Sequence, residues 1–171
     1  MLKILLTIER ALPELLKNEA AWTGIYADTE KPHLQRLWRQ HEESRIYLHR
    51  FEGCMTEEKF PHPHPWPFAV RILEGRYRMA LGASSNPDVV PPDVAVVDLS
   101  PGCCYEMAHA DGWHWIKPLD NVSVTLMVAG PTIWQQNRKR ANRPCRELTS
   151  EERATIFNVF RNHYPAQEVQ K

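Results

Sequence analysis

Phe60-Pro61-His62-Pro63-His64-Pro65-Trp66-Pro67-Phe68 is the stretch that decides how this chain is read. Proline stands at every second position, and two histidines lie between prolines. In an extended chain successive side chains alternate faces, so His62, His64, Trp66 and Phe68 share one face and the prolines take the other. Proline restricts the backbone, and two imidazoles at i and i+2 on so stiff a segment form a preorganised pair of metal ligands. Proline also has no N–H to donate. One side of the segment is therefore stripped of donors, and is expected to be a sheet edge, a barrel mouth or a polyproline II stretch. Continuation into Phe68-Ala69-Val70-Arg71-Ile72 favours the extended form.

Outward from this run, residues 44–135 read as strands. Residues 44–51 alternate imperfectly. Residues 68–73 and 76–81 flank Glu74-Gly75, a hairpin-like signal. Residues 94–99, 103–109, 113–117 and 122–129 follow, separated by Pro101-Gly102, Asp111-Gly112 and residues 118–121. Short strands at this spacing predict an all-β sandwich or barrel. Residues 82–92 read as an exposed loop.

Residues 1–43 read as a helical segment packed on the barrel, with breaks near Thr23-Gly24 and Lys31-Pro32. Ile4, Leu5, Ile8, Leu12, Leu15 and Leu16 fall at helical spacing, while Glu9, Arg10, Pro13 and Glu14 interrupt the apolar run. This pattern predicts an amphipathic helix rather than a signal peptide. Residues 136–171 read as a polar connection and a C-terminal helix, opened by the T-x-x-E cap Thr149 to Glu152. The expected whole is one mainly β domain with helices at both ends.

The 171 residues suffice for a substantial core. Twenty-one basic and 21 acidic residues balance, which gives no sign of a nucleic-acid partner. The short basic stretch Arg138-Lys139-Arg140 to Arg143 reads as solvated surface. No apolar run approaches the roughly 20 residues needed to span a bilayer. Cys54, Cys103, Cys104 and Cys145 have no metal-binding or secreted-scaffold spacing, so reduced thiols in a cytoplasmic protein are expected.

Asp111-Gly112 is a two-residue hairpin signal. A hairpin there sets His109 opposite His114, on one face. Two local histidine pairs result, His62/His64 and His109/His114, and all four could enter one barrel. His62, His64 and His114 are the expected metal ligands. His109 is a candidate for an outer position or a fourth ligand. His33, His41, His49 and His163 are given no ligand role, although His49 sits mid-strand and could reach the interior. Trp66 and Phe68, on the ligand face, are candidate pocket lining together with Arg71 and Tyr105. A guanidinium fork suits a substrate carboxylate, which makes Arg71, Arg76 and Arg78 candidates for that role.

These residues resemble the cupin superfamily. His62-Pro63-His64 and Gly75 fit the first cupin signature, although its glutamate position falls at Phe68 or Ala69. Pro101-Gly102, Asp111-Gly112 and His114 fit the second, with His114 at the ligand position. His62 to Phe68, Leu73-Glu74-Gly75-Arg76-Tyr77 and Thr125 to Pro131 also resemble a group of small bacterial cupin-like proteins. The likeness covers roughly residues 44–135. It implies a double-stranded β-helix or jelly-roll barrel. It further implies one divalent transition metal, Fe(II) first and Zn, Mn or Ni as alternatives, in a site similar to the three-histidine iron centre of cysteine-dioxygenase-type cupins. The implied activity is that of a dioxygenase-like oxidoreductase acting on a small molecule. The alternatives are an isomerase, lyase or hydrolase with a redox-inert metal, and a non-catalytic binding or regulatory module. A homodimer is a further expectation.

Overall fold

Residues 44–52 and 122–129 hold the centre of the fold. Both segments alternate two sets of buried side chains, because the sheet they form is covered on both faces. The structure, a computed structural model, describes residues 1–27, 32–53, 59–86, 88–132 and 145–166. Cys54 and the basic stretch 138–143 lie outside these.

In chain order the elements are α1 (Leu2–Leu15), a 3-10 turn (Glu19–Ala21), β1 (Thr23–Ala27), β2 (Leu34–His41), β3 (Ser44–Glu52), β4 (His62–Pro63), β5 (Phe68–Glu74) and β6 (Tyr77–Ala83). There follow β7 (Ala95–Leu99), β8 (Cys104–Met107), β9 (Gly112–Pro118), β10 (Val122–Ala129), β11 (Cys145–Arg146) and α2 (Ser150–His163). One sheet has the order β11-β1-β2-β3-β10-β5-β8 and the other β4-β9-β6-β7. Every ladder is antiparallel. Between β3 and β10 the chain alternates between the sheets at every step except the β6–β7 hairpin. The result is an eight-stranded jelly roll, β3-β10-β5-β8 facing β4-β9-β6-β7. No helix among the described residues is long and apolar enough to cross a membrane.

Three expectations need correction. Residues 1–43 are helical only through α1 and the short turn, and Thr23–Ala27 and Leu34–His41 are strands that extend the larger sheet. Leu34, Leu37 and Trp38 are spaced i, i+3, i+4, which imitates a helix. In the strand, Leu37 packs with the helices while Trp38 packs in the sandwich interior. Second, Asp111-Gly112 does not close a hairpin. β8 pairs with β5 and β9 pairs with β4 and β6, so the turn carries the chain from one sheet to the other. Third, Glu74-Gly75 also joins strands of opposite sheets. Gly75 has φ +65°, and a Cβ there would lie 2.1 Å from the Val122 carbonyl oxygen, so no side chain fits the turn.

Two cores result. Between the larger sheet and the helices, Leu5, Ile8, Leu12, Ile156, Phe157 and Phe160 pack on Leu37, Ile46, Leu48, Val124, Leu126 and Val128. Inside the sandwich, Tyr47, Trp66, Phe68, Val70, Ile72, Tyr77, Met79 and Met127 form a more aromatic cluster. The predicted cap of α2 forms: Thr149 Oγ1 accepts from the Glu152 N–H at 3.2 Å, and Glu152 Oε2 accepts from the Thr149 N–H at 2.8 Å. Arg146 grips the same carboxylate and pulls the Glu152 pKa down to about 2.

Candidate metal centre

β4 is the edge strand of the smaller sheet, as a proline-interrupted segment must be. It is two residues long and pairs with β9 so that His62 stands opposite His114 and Pro63 opposite Trp113. His114 therefore meets His62 across the ladder, and its neighbours Trp113 and Trp115 take the opposite face. The chain beyond Pro63 leaves the ladder yet stays extended enough to return His64 to the same side. The His62 ring centroid lies 4.9 Å from that of His64 and 4.7 Å from that of His114, and the His64 and His114 centroids are 5.1 Å apart.

One nitrogen from each of these three rings lies within 4.8 Å of the other two. Nε2 of His64 and Nε2 of His114 are 3.0 Å apart. Two imidazole nitrogens bound to one metal at about 2.0–2.1 Å are about 2.9–3.4 Å apart, so this spacing fits a shared cation. The Nδ1–H of His62 donates to the Phe60 carbonyl at 2.9 Å, which turns Nε2 toward the other two rings. His114 is buried, and His62 and His64 are half-buried. Burial, and then the charge of neighbouring cationic groups, holds the His64 and His114 pKa values well below the usual histidine range. Neutral imidazole is the form that ligates.

Phe68, one of the two positions at which the sequence resemblance puts a carboxylate ligand, packs against the group. Its ring is 4.5 Å from His64 and 5.5 Å from His114. Trp66 stands 5.8 Å from His64 and carries Arg45 over its ring at 4.0 Å. Both thus line the histidine group. Tyr105 packs 6.2 Å from Phe68 and accepts a hydrogen bond from the Tyr77 hydroxyl at 3.0 Å. Burial raises the pKa of both phenols, so neither ionises near neutral pH.

His109 does not join the group. Its side chain is 82% exposed, with the ring turned to Asp111. The cause is the turn between sheets, which separates β8 from β9. Arg71 points out of the sandwich, where Glu9 of α1 holds it. Arg76 pairs with Asp120 and Arg78 with Asp98, both at the surface.

The interior also holds three residues that received no role from the sequence: Arg36, His49 and Thr125. Arg36 and Thr125 flank His49 on adjacent strands. Strict alternation through Tyr47, His49 and Phe51 is the signal that places His49 inside; the imperfect pattern of 44–51 as a whole obscured it.

No family model and no curated protein matches the sequence. Solved structures similar to this chain include KdgF from Halomonas sp., at 18% identity over 62% of this chain and 86% of that one, with a TM-score of 0.47. A cupin superfamily protein from Desulfitobacterium hafniense matches at 15% identity over 61% of this chain and 83% of that one, with a TM-score of 0.44. Hydroxypropylphosphonic acid epoxidase from S. wedmorenis matches at 12% identity over 61% of this chain, with a TM-score of 0.46, and the match spans 53% of that longer chain. By its own strand order this chain has the fold of a double-sheet antiparallel jelly-roll β-sandwich, with the three-histidine group beside its short edge strand.

Proposed function

We propose that His62, His64 and His114 hold one divalent transition metal, Fe(II) first, and that the protein is a dioxygenase-like oxidoreductase acting on a small molecule. The observation that supports this reading most is the convergence of three imidazoles, two of them with Nε2 atoms 3.0 Å apart. Held there, Fe(II) would supply the redox chemistry that activates dioxygen toward a small-molecule substrate. The chain's own residues do the rest. The Phe60 carbonyl fixes the His62 ring, burial keeps His64 and His114 unprotonated, and Phe68 and Trp66 shield the group from water.

Three imidazole donors, with no carboxylate beside them among the described residues, leave the full charge of a dication in place, which favours anionic ligands. The same donor set suits Zn, Mn or Ni as a Lewis acid, so metal identity decides the reaction class. The test is metal analysis of anaerobically purified protein, followed by dioxygen uptake on adding a small thiol. Stoichiometric iron with uptake supports the oxidoreductase reading. Stoichiometric redox-inert metal without uptake replaces it with Lewis-acid chemistry. Metal-free protein that takes up none of these ions leaves a non-catalytic binding module.

A further inference from the structure

We propose that Asp93 is a positioning residue for the three-histidine group. From the outer face of the smaller sheet it clasps Lys59 and Trp115, which fixes the segment bearing His62 against the strand bearing His114. The inference rests on the metal-centre reading and adds to it the device that keeps the ligand strand closed.

β4 has little else to hold it. It is two residues long, and among the described residues its ladder consists of His62 opposite His114 and Pro63 opposite Trp113. Proline at 61, 63 and 65 removes every second amide donor that would lengthen the ladder. A ladder this short opens readily, yet two of the three imidazoles depend on where it lies.

A second attachment lies on the side of the sheet away from the imidazoles. There Trp113 and Trp115 are buried beneath segments that come from both edges of the smaller sheet. From the β7 edge, residues 91–93 cross over β6. Gly82 makes the room: a Cβ there would lie 2.8 Å from Pro91 Cγ and 2.9 Å from the Pro92 carbonyl oxygen. From the β4 edge come Lys59 and Pro61, and Pro61, Pro91 and Asp93 border one crevice beside the two indoles. The two segments meet at Asp93. Its Oδ2 accepts from Lys59 Nζ at 3.0 Å, and its Oδ1 accepts from the Trp115 Nε1–H at 2.8 Å. The Lys59 ammonium also stands over the Trp115 ring, 4.9 Å from its centroid.

Each end of the clasp leads to a ligand. Lys59 precedes Phe60, whose carbonyl accepts from His62 Nδ1 and turns that ring. Trp115 follows His114 on β9. The chemistry calls for a carboxylate rather than an amide, because two donors converge and each takes one oxygen. An asparagine has a single oxygen and would turn its amide donor toward one of them. Hydrogen bonding from Lys59, and then from Trp115, holds the Asp93 carboxyl below the usual carboxylate range, so both oxygens accept near neutral pH. Arg78–Asp98 is a useful contrast: it is an ion pair of the same sheet, with two hydrogen bonds, but it joins β6 to β7.

The test has two arms. In metal-free protein, hydrogen exchange of the amides of residues 60–66 reads the closing of β4. In Co(II)-loaded protein, release of the ion to excess EDTA reads the hold on the metal. Asp93→Asn should speed both by about fivefold. Lys59→Met, at an exposed site with little risk to folding, should speed both by about threefold. Amide exchange in β10 should stay as in the parent. High salt should speed release from the parent and lose that effect in Lys59→Met, since the clasp is partly an ion pair. Asp98→Asn removes the contrasting ion pair and should leave both rates within about twofold of the parent. Parent-like rates in both Asp93→Asn and Lys59→Met, or an equal acceleration by Asp98→Asn, overturn the clasp while the metal centre stands. A parent that binds no stoichiometric Co(II) overturns the metal-centre reading, and the exchange arm still decides the clasp.

Discussion

The two faces of the larger sheet are built from the same strands and differ in almost every side chain. On β3, Ile46 and Leu48 face the helices, while Tyr47, His49 and Phe51 face the interior. On β10, Val124, Leu126 and Val128 face the helices, and Thr125 and Met127 face inward. The helix side is branched aliphatic and dry, and its work is stability through burial. The interior mixes aromatic rings, a hydroxyl, imidazoles and a guanidinium, which is a poor recipe for stability alone. The lesson is a division of labour at single-residue spacing: a period of two lets one strand build a scaffold and a site at once.

The sharpest way to break this comparison is to remove ligands from one face and packing from the other. His62→Ala/His64→Ala should abolish stoichiometric metal binding and leave the far-UV circular dichroism of a folded protein. Metal retained by the double variant would refute the ligand assignment. Leu126→Ala, at a fully buried position on the helix side, should cost about 2–5 kcal/mol in denaturant unfolding while metal stoichiometry is kept in the folded fraction. A loss below about 1 kcal/mol would mean that this face is not the scaffold.

Protons separate the faces next. His49, His64 and His114 have depressed pKa values in the folded chain, so the unfolded chain takes up protons that the native one refuses. The native state of the metal-free protein should therefore be favoured above about pH 6.5 and lose stability as pH falls below it. Glu152, whose folded pKa is about 2, titrates well below that window and does not confound it. The measurement is Tm of metal-free protein near neutrality and about two pH units lower. A flat profile would show that the interior imidazoles are not neutral and buried. The smallest effect is expected at the cap: Thr149→Ala should cost about 1 kcal/mol and leave metal binding untouched.

Much of the site was legible because it rests on local sequence. The alternation of proline and histidine sets the facing of His62 and His64 by itself, and it names an edge strand for them. The T-x-x-E cap is equally local. His109 shows where such reading stops. Asp111-Gly112 signals a turn, but nothing in four residues says whether the two strands it joins pair with each other or with different sheets. That choice is made by β5 and β6 competing for them. The strands Thr23–Ala27 and Leu34–His41 escape local reading for a related reason: Leu34, Leu37 and Trp38 fall at helical spacing, and only a sheet covered on both faces, with β3 alongside, lets Leu37 and Trp38 be buried on opposite sides. Arg71 sits one residue out of phase with the interior set Phe68, Val70 and Ile72, a fact the period of two already contains.

The short proline-bearing strand has one more consequence, for the fate of the protein at high concentration. An ordinary edge strand offers alternating donors and acceptors to any passing chain, and so invites strand-by-strand growth into aggregates. Between Pro61 and Pro67 the only amide hydrogens are those of His62, His64 and Trp66, and β9 is the partner already in place. With every second residue a proline, that segment has half the donors of an ordinary strand to offer a further chain. The prolines that stiffen the imidazole pair also make this edge a poor template for strand addition, so ligand placement and protection of the edge are written in the same nine positions.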